Sequence, residues 1–156
     1  MNLHRLMKPH RRWMDTAFRE AERAYERGEV PVGAVVVRDG HIVGRGRNRV
    51  EQLHDPTAHA EILAITAACE TLGQKFLTDC TLYVTLEPCP MCAGAIVNAR
   101  LERLVFGALD EKAGAASTLY AIPRDPRLNH QVNILSGVEA DRAAELLRAF
   151  FRERRD

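Results

Sequence analysis

Segments with strand character alternate with segments of helical spacing along this chain, and this alternation limits the fold more than any other feature. The run Val32 to Val37 is β-rich, and the Asp39-Gly40 pair after it is typical of a tight hairpin leading into Ile42 and Val43. Later strand-like runs are Thr81 to Leu86, Leu104 to Phe106 and Gln131 to Leu135. Because helical segments separate these runs, we expect an α/β domain with three α/β/α layers and a mixed central sheet of about five strands.

The first and last helices are expected to flank this central region. Apolar residues recur at helical spacing between Met14 and Tyr25, and Gly28 follows as a stop signal. An amphipathic segment from Ala140 to Arg154 predicts the final helix. No repeat, low-complexity tract or linker interrupts the chain, so we expect a polar tail over residues 1–12 and one domain over residues 13–156.

The composition is that of a globular protein, since 46% of the residues are hydrophobic and 28% are charged. No window approaches the roughly 18 consecutive apolar residues of a membrane span, and the N-terminal segment lacks the apolar core of a secretory signal. We therefore expect a cytoplasmic protein without membrane association. The formal net charge of +1 argues neither for nor against a nucleic-acid partner. Basic residues crowd both ends of the chain, as in solvated termini or an RNA surface: Arg5, Lys8, Arg11, Arg12, Arg148, Arg152, Arg154 and Arg155.

Two short motifs bring metal-binding side chains to predicted helix N-termini. One helix is expected to begin close to His59, with Thr57 as its cap, and another to follow Pro88, so that Cys89 and Cys92 fall on its first turn. Cysteines three apart on a helix share a face, and a helix N-terminus lowers the pKa of a thiol, which favours the thiolate that binds zinc. With His59 as third ligand, zinc would keep an open fourth position, as catalytic zinc sites do.

Glu61 follows His59 by two positions, and side chains two apart do not share one lateral face of a helix. Because helical side chains lean toward the N-terminus, both residues can still reach a point beyond that end. This arrangement predicts that His59 binds the metal and that Glu61 exchanges protons with water in the fourth position. The chemistry indicated is hydrolytic deamination of a nucleobase.

Two plainer explanations of the cysteine pair stay open at this point. A CxxC motif can be redox-active, although a redox pair has no need of the His-Ala-Glu segment. It can also form half of a closed structural zinc site, which would need a fourth protein ligand. The candidates for that ligand, none at a tight ligand spacing with the pair, are His54, Cys69, Cys80 and His130.

The His-Ala-Glu and Pro-Cys-x-x-Cys segments resemble the signature of zinc-dependent nucleobase deaminases, tRNA adenosine deaminases among them. The similarity to the bacterial tRNA-specific adenosine deaminases extends over about residues 13 to 155. The segments that carry it are Glu29 to Ala34, His54 to Glu61, Val84 to Cys89, Ala93 to Ala95, Phe106 to Ala108, Asn129-His130 and Phe150 to Arg152.

This resemblance implies a cytidine-deaminase-like fold, zinc as the cofactor and a hydrolase that acts on RNA. Its zinc ligands would be His59, Cys89 and Cys92, and its proton shuttle would be Glu61. The implied reaction converts the wobble adenosine in the anticodon stem-loop of an arginine tRNA to inosine, and the implied assembly is a homodimer.

The same resemblance implies several contacts with the RNA. Asn48 would hydrogen-bond the adenosine, Asp110 would lie near its ribose, and Phe151 and Arg152 on the last helix would border the anticodon loop. Each of these residues also has an ordinary structural explanation, because Asn48 could end a strand and Asp110 could open a loop. At least one of Phe150 and Phe151 is expected in the core.

Two other functions compete with this interpretation. A metabolic deaminase of a free base, such as guanine, would use the same zinc site, and only the surroundings of the pocket would distinguish it. A non-catalytic RNA-binding or scaffold protein could also retain a zinc fold. Glu61 argues against that role, since a structural zinc would not require the carboxylate.

Overall fold

Five strands form one mixed sheet in the computed structural model, which describes residues 2–154. They are β1 (Gly33–Arg38), β2 (His41–Arg47), β3 (Thr81–Leu86), β4 (Arg103–Ala108) and β5 (Asn133–Leu135), and their order across the sheet is β2-β1-β3-β4-β5. Strand β1 runs antiparallel to β2 and β3, whereas β4 runs parallel to β3 and β5. The predicted mixed sheet is confirmed.

Helices cover both faces of this sheet. They are α1 (Leu3–Glu26), α2 (Val50–Leu53), α3 (Ala60–Leu72), α4 (Pro90–Asn98) and α5 (Ala140–Arg154), with a 3₁₀ turn at Ile122–Arg124. On one face α1 and α5 contribute Phe18 and Ala143 to a buried cluster, and on the other α3 and α4 contribute Ala64 and Ile96 to a second. The three-layer α/β/α prediction is therefore also confirmed. No helix within residues 2–154 is long and apolar enough to cross a bilayer.

The central strand β1 shows why the sheet needs two covering layers. Its side chains alternate between the two buried clusters, with Ala34 and Val36 on the α3/α4 side and Val35 and Val37 on the α1/α5 side. A strand buried on both faces reads as a continuous apolar run instead of an alternating one. This accounts for the unbroken run of valines in the sequence.

The hairpin between β1 and β2 sets the position of α3. Asp39 and Gly40 at its turn both have positive φ angles, 50° and 76°, as a type I′ turn requires. Strand β2 then runs beside α3, where a Cβ atom at Gly46 would collide with the carbonyl oxygen of Ala60. Glycine at this position lets the first turn of α3, and with it His59, lie directly against the strand.

Helix α1 is longer than the periodicity indicated. It begins at Leu3, so residues 3–12 continue the helix where the sequence suggested a polar tail. Polar residues of this segment have partners far along the chain, since the His10 Nδ1 atom lies 2.8 Å from the Tyr83 hydroxyl and Arg11 pairs with Glu139 at 3.6 Å. The separate domain over 13–156 stays a prediction, and its last residues, Arg155 and Asp156, lie outside the described part of the chain.

The start of α3 differs from the prediction in its cap. The N-cap residue is His59, and Thr57 instead donates its hydroxyl to the Asp55 carboxylate at 2.7 Å. The first free N–H of the helix, that of Ala60, donates to the side-chain oxygen of Asn48 at 2.8 Å. Asn48, which follows the hairpin, thus caps the helix through its side chain, and the His59 side chain is left free for another role.

Candidate metal centre and active-site cavity

His59, Cys89 and Cys92 meet at two adjacent helix N-termini. His59 is the N-cap of α3, Cys89 is the N-cap of α4, and Cys92 lies in the first turn of α4. The Nδ1 atom of His59 lies 3.6 Å from the sulfur of Cys89 and 3.5 Å from that of Cys92. The three ligand atoms all lie within 4.8 Å of one another, so the structure brings these residues together as the sequence predicted.

These separations can be tested against the chemistry of zinc. A tetrahedral ion with Zn–S of about 2.3 Å and Zn–N of about 2.0–2.1 Å holds its sulfur and nitrogen ligands about 3.5 Å apart. The observed distances of 3.5 and 3.6 Å fit that requirement. Among the side chains that the structure describes, the cluster contains no fourth histidine, cysteine or carboxylate, and the four earlier candidates (His54, Cys69, Cys80 and His130) lie outside it. The donor set therefore suits an open site and not a closed structural one.

The pKa values of the two cysteine thiols are shifted in opposite directions. A hydrogen bond from Cys92 lowers the pKa of the Cys89 thiol to about 4. The same bond, with burial, raises the pKa of Cys92. A hydrogen bond with Cys89 also raises the pKa of the His59 imidazole. Cys89 is thus the more acidic thiol of the pair, and a metal ion, which needs deprotonated ligands, would have to displace the proton of Cys92.

Glu61 lies in the first turn of α3, with 4% of its surface exposed. Burial raises the pKa of its carboxyl to about 7. Both Glu61 and His59 line one cavity of about 780 Å³, so two residues two positions apart do reach the same space beyond the helix end. A carboxyl with a pKa near neutrality can both accept and donate a proton there.

The predicted base-binding and ribose-binding residues, Asn48 and Asp110, both belong to the lining of this cavity. Asn48 is buried, and because its side-chain oxygen accepts the N–H of Ala60, its NH₂ group is the donor that it can offer to a ligand. Asp110 is half-buried, and its Oδ1 atom accepts the N–H groups of Lys112 and Ala113 at 3.0 and 3.1 Å. Both residues line the cavity.

Helix α5 closes one side of the cavity with its last two turns. The two neighbouring phenylalanines differ sharply, because Phe150 is 6% exposed and Phe151 is 47% exposed. Phe150 also packs under the guanidinium of Arg154, 4.5 Å from the ring centroid. Among the described residues that line the cavity, α5 contributes Phe150, Phe151 and Arg154 but not Arg152, which is exposed beside them.

Two buried carboxylates that the sequence analysis did not assign support these walls. Glu29 accepts the N–H groups of Glu51 and Gln52, at 3.0 and 2.8 Å, and so holds the short helix α2 at the cavity. Glu87 likewise accepts N–H groups of the loop after β4, those of Asp110 and Ser117, and so holds that loop at the cavity. Both lie in segments that carry the family resemblance, and Glu87 is also marked by its position two residues before Cys89.

Comparison with known proteins decides the family. The profile of the MafB19-like deaminases matches residues 8–155. A tRNA-specific adenosine deaminase of Aquifex aeolicus (strain VF5) is 49% identical over 144 residues, which make up 92% of this chain and 95% of that protein. The chain belongs to the tRNA-specific adenosine deaminase family. The resemblance that the motifs suggested is confirmed.

Solved structures agree with this membership of the tRNA-specific adenosine deaminase family. One, from work on A-to-I editing by tRNA:A34 deaminases at the wobble position of transfer RNA, has a TM-score of 0.84 and 48% identity, and covers 87% of this chain and 99% of that one. A guanine deaminase from Bacillus subtilis reaches a TM-score of 0.60 at 30% identity, covering 100% and 96%. The adenosine-specific branch therefore matches more closely than the guanine-specific alternative.

Proposed function

We propose that this protein hydrolyses the 6-amino group of the wobble adenosine in a tRNA anticodon loop, giving inosine and ammonia. One observation carries the proposal: His59, Cys89 and Cys92 form an open zinc-type donor set beside the buried carboxyl of Glu61, in a chain of the tRNA-specific adenosine deaminase family. The cavity of about 780 Å³ is within the range of small-molecule sites and can take a base that has left its stack.

His59 Nδ1 and the sulfur atoms of Cys89 and Cys92 would hold the zinc ion. When bound there, zinc supplies a Lewis acid that makes water a nucleophile near neutral pH. Glu61 takes one proton of the attacking water and passes it to N1 of the purine as the C6–O bond forms. It then moves the remaining hydroxyl proton to the amine, so that the C6–N bond breaks, ammonia leaves and C6 becomes the carbonyl of inosine. Its raised pKa of about 7 suits a group that must act as base and then as acid.

The RNA contacts follow the chemistry of the cavity walls. The NH₂ group of Asn48 donates to an acceptor on the base, and Asp110 faces the ribose. Phe151, the exposed ring of the last helix, stacks on a base of the loop, and Arg152 holds a phosphate beside it. Stacking on aromatic side chains and charge on arginine are the usual means of recognising single-stranded RNA.

A homodimer is part of the proposal. Exposed apolar side chains lie on α4 and on the loop before the 3₁₀ turn, with Met91 36% exposed, Leu119 52% and Tyr120 57%. Apolar surface of this kind is commonly covered by a partner chain. Sedimentation equilibrium would give the mass of the species in solution.

The preference for an arginine tRNA and the cytoplasmic location stay predictions. A panel of tRNA substrates would test the first of them.

A direct assay tests the activity. Zinc-loaded protein is incubated with an anticodon stem-loop that carries the wobble adenosine and, separately, with free adenosine, cytidine and guanine. We expect inosine in the stem-loop and little product from the free compounds. A preference for free guanine would replace the tRNA function with the metabolic one.

The exposed ring of α5 provides a test of RNA binding. Phe151→Ala is expected to weaken stem-loop binding about tenfold or more, because losing one stacking contact costs roughly 1–3 kcal/mol per base. Arg152→Ala should weaken binding too and flatten its salt dependence, since one phosphate contact is lost. Fluorescence anisotropy at several salt concentrations measures both effects.

Two further phenylalanine variants are controls for this test. Phe76→Ala removes a ring that is 40% exposed and precedes β3, at the end of that strand away from the cavity, so binding should not change. Phe150→Ala removes a buried ring and should mainly lower stability, by about 3–5 kcal/mol. Unaltered binding by both Phe151→Ala and Arg152→Ala would contradict the assignment of α5 to the RNA interface.

A further inference from the structure

The loop between β4 and the 3₁₀ turn, residues 109–121, forms a wall of the cavity without any helix or strand of its own. Asp110 and Ala113 of this loop line the cavity. Holding an irregular segment of this length in one conformation has a large entropic cost, so specific contacts are needed to order it. The structure identifies the side chain of Glu87 as the group around which it is built.

Glu87 accepts five hydrogen bonds from this loop. Its Oε1 atom accepts the Asp110 N–H at 3.0 Å and the Thr118 hydroxyl. Its Oε2 atom accepts the N–H groups of Ala116, Ser117 and Thr118 at 3.1, 2.8 and 3.0 Å. One carboxylate thus joins the first residues of the loop to its later ones.

This carboxylate serves the loop and not the reaction. Glu87 is 2% exposed, and both of its oxygens are engaged by loop donors. The Asp110 N–H and the Thr118 hydroxyl occupy Oε1, and three further N–H groups occupy Oε2. Glu87 is therefore not a second proton shuttle beside Glu61, although it lies next to the cysteine turn.

Two further contacts show how tightly the loop encloses Glu87. A Cβ atom at Gly114 would collide with the Glu87 carboxylate and come within 2.5 Å of the Asp110 carbonyl oxygen. The N–H of Ala115 donates to the carbonyl of Pro88 at 2.8 Å, which ties the loop to the residue before Cys89. The loop wall and the metal-binding turn are thus held by neighbouring residues at the end of β3.

We propose that Glu87 is a positioning residue for RNA binding: it orders the 109–121 wall before the substrate arrives, so that the stem-loop does not have to order it. Preordering a binding surface strengthens binding by removing an entropic cost. This inference rests on the proposed tRNA function. It assigns Glu87 to substrate affinity and leaves the chemical step to Glu61.

The test compares Glu87→Gln with Glu20→Gln. Glutamine keeps the size of the side chain but turns an N–H₂ group toward loop donors. Glu20 is a matched control, since it is also buried at 3% exposure but pairs with Arg23 at 2.7 Å on α1 and does not line the cavity.

For Glu87→Gln we expect KM for the stem-loop to rise about 10-fold to 100-fold, the scale of a lost charged hydrogen bond. The kcat and the zinc content should stay near those of the parent. Glu20→Gln should leave KM unchanged.

Hydrogen exchange supplies a readout that does not depend on activity. The amides of Asp110, Ala116, Ser117 and Thr118 should exchange faster in Glu87→Gln than in the parent or in Glu20→Gln. If Glu87→Gln does not fold, Gly114→Ala decides the matter, because it pushes the loop off an intact carboxylate and should raise KM in the same way.

The outcomes separate the two proposals. A parent that leaves the stem-loop adenosine unchanged overturns the tRNA function and this inference with it. An active parent whose Glu87→Gln and Gly114→Ala variants keep the parent KM overturns the positioning role alone. Loss of zinc, or a fall in kcat at constant KM, would instead assign Glu87 to the metal centre and also overturn it.

Discussion

Glu61→Gln is expected to lower kcat for the stem-loop by about 10²–10⁴-fold, the usual contribution of a positioned acid–base group, while the protein keeps its fold and its zinc. The substitution preserves the size of a side chain that is 4% exposed, so packing should survive. It removes the group that takes and returns the proton. The zinc should remain because Glu61 is not one of the three clustered ligands. Single-turnover kinetics and elemental analysis measure the two properties separately.

Two variants sharpen this result. Glu20→Gln makes the same change in another buried carboxylate and should leave kcat unchanged. Glu87→Gln should raise KM instead, so the kinetic constant that changes distinguishes the role of Glu61 from that of Glu87. Turnover of Glu61→Gln within about tenfold of the parent would mean that another group moves the proton. Loss of zinc in Glu61→Gln would indicate that Glu61 is a zinc ligand.

Cys89→Ala is expected to remove both the bound zinc and the activity. We expect the parent to hold about one zinc per chain, because three protein ligands and one open position describe one catalytic ion. Removing the thiolate leaves two ligands, and the surviving site should not retain zinc through dialysis against a chelator. Elemental analysis of parent and variant gives the stoichiometry, and the stem-loop assay gives the activity.

Cys69→Ala is the matched control for this prediction. The Cys69 thiol is half-buried on α3 with its sulfur 3.7 Å from the Lys75 carbonyl oxygen, and burial raises its pKa. Cys69 also lies outside the cluster formed by His59, Cys89 and Cys92. The variant should therefore keep zinc and activity and lose at most some packing. Equal zinc loss in both variants would contradict the division between binding and structural cysteines.

Much of the fold could be predicted because the signals are local. The β-rich run after residue 31 and the Asp39-Gly40 turn specify the hairpin within about ten residues of chain, and apolar spacing specifies the last helix from Ala140 to Arg154. The two metal-binding motifs could be placed at helix N-termini for the same reason. Proline in a first turn marks the start of α4 locally, and apolar spacing placed the start of α3 near His59 although Thr57 is not its cap.

Other features were undecided because they depend on partners far away in the sequence. The helical state of residues 3–12 is supported by Tyr83 and Glu139, which no helical period reveals. Periodicity also could not say which of two consecutive phenylalanines is buried, and only the packing of α5 against the rest of the chain leaves Phe151 exposed.

The sequence by itself determined the layered α/β class, the residue types of the candidate metal site and their places on helix ends, since each of these follows from spacing and residue chemistry. Only the tertiary structure decided the walls of the cavity. Glu29 binds backbone N–H groups 22 and 23 positions away, and Glu87 binds others 23 to 31 positions away. A backbone N–H carries no residue identity, so no sequence pattern marks it as the partner of a particular carboxylate.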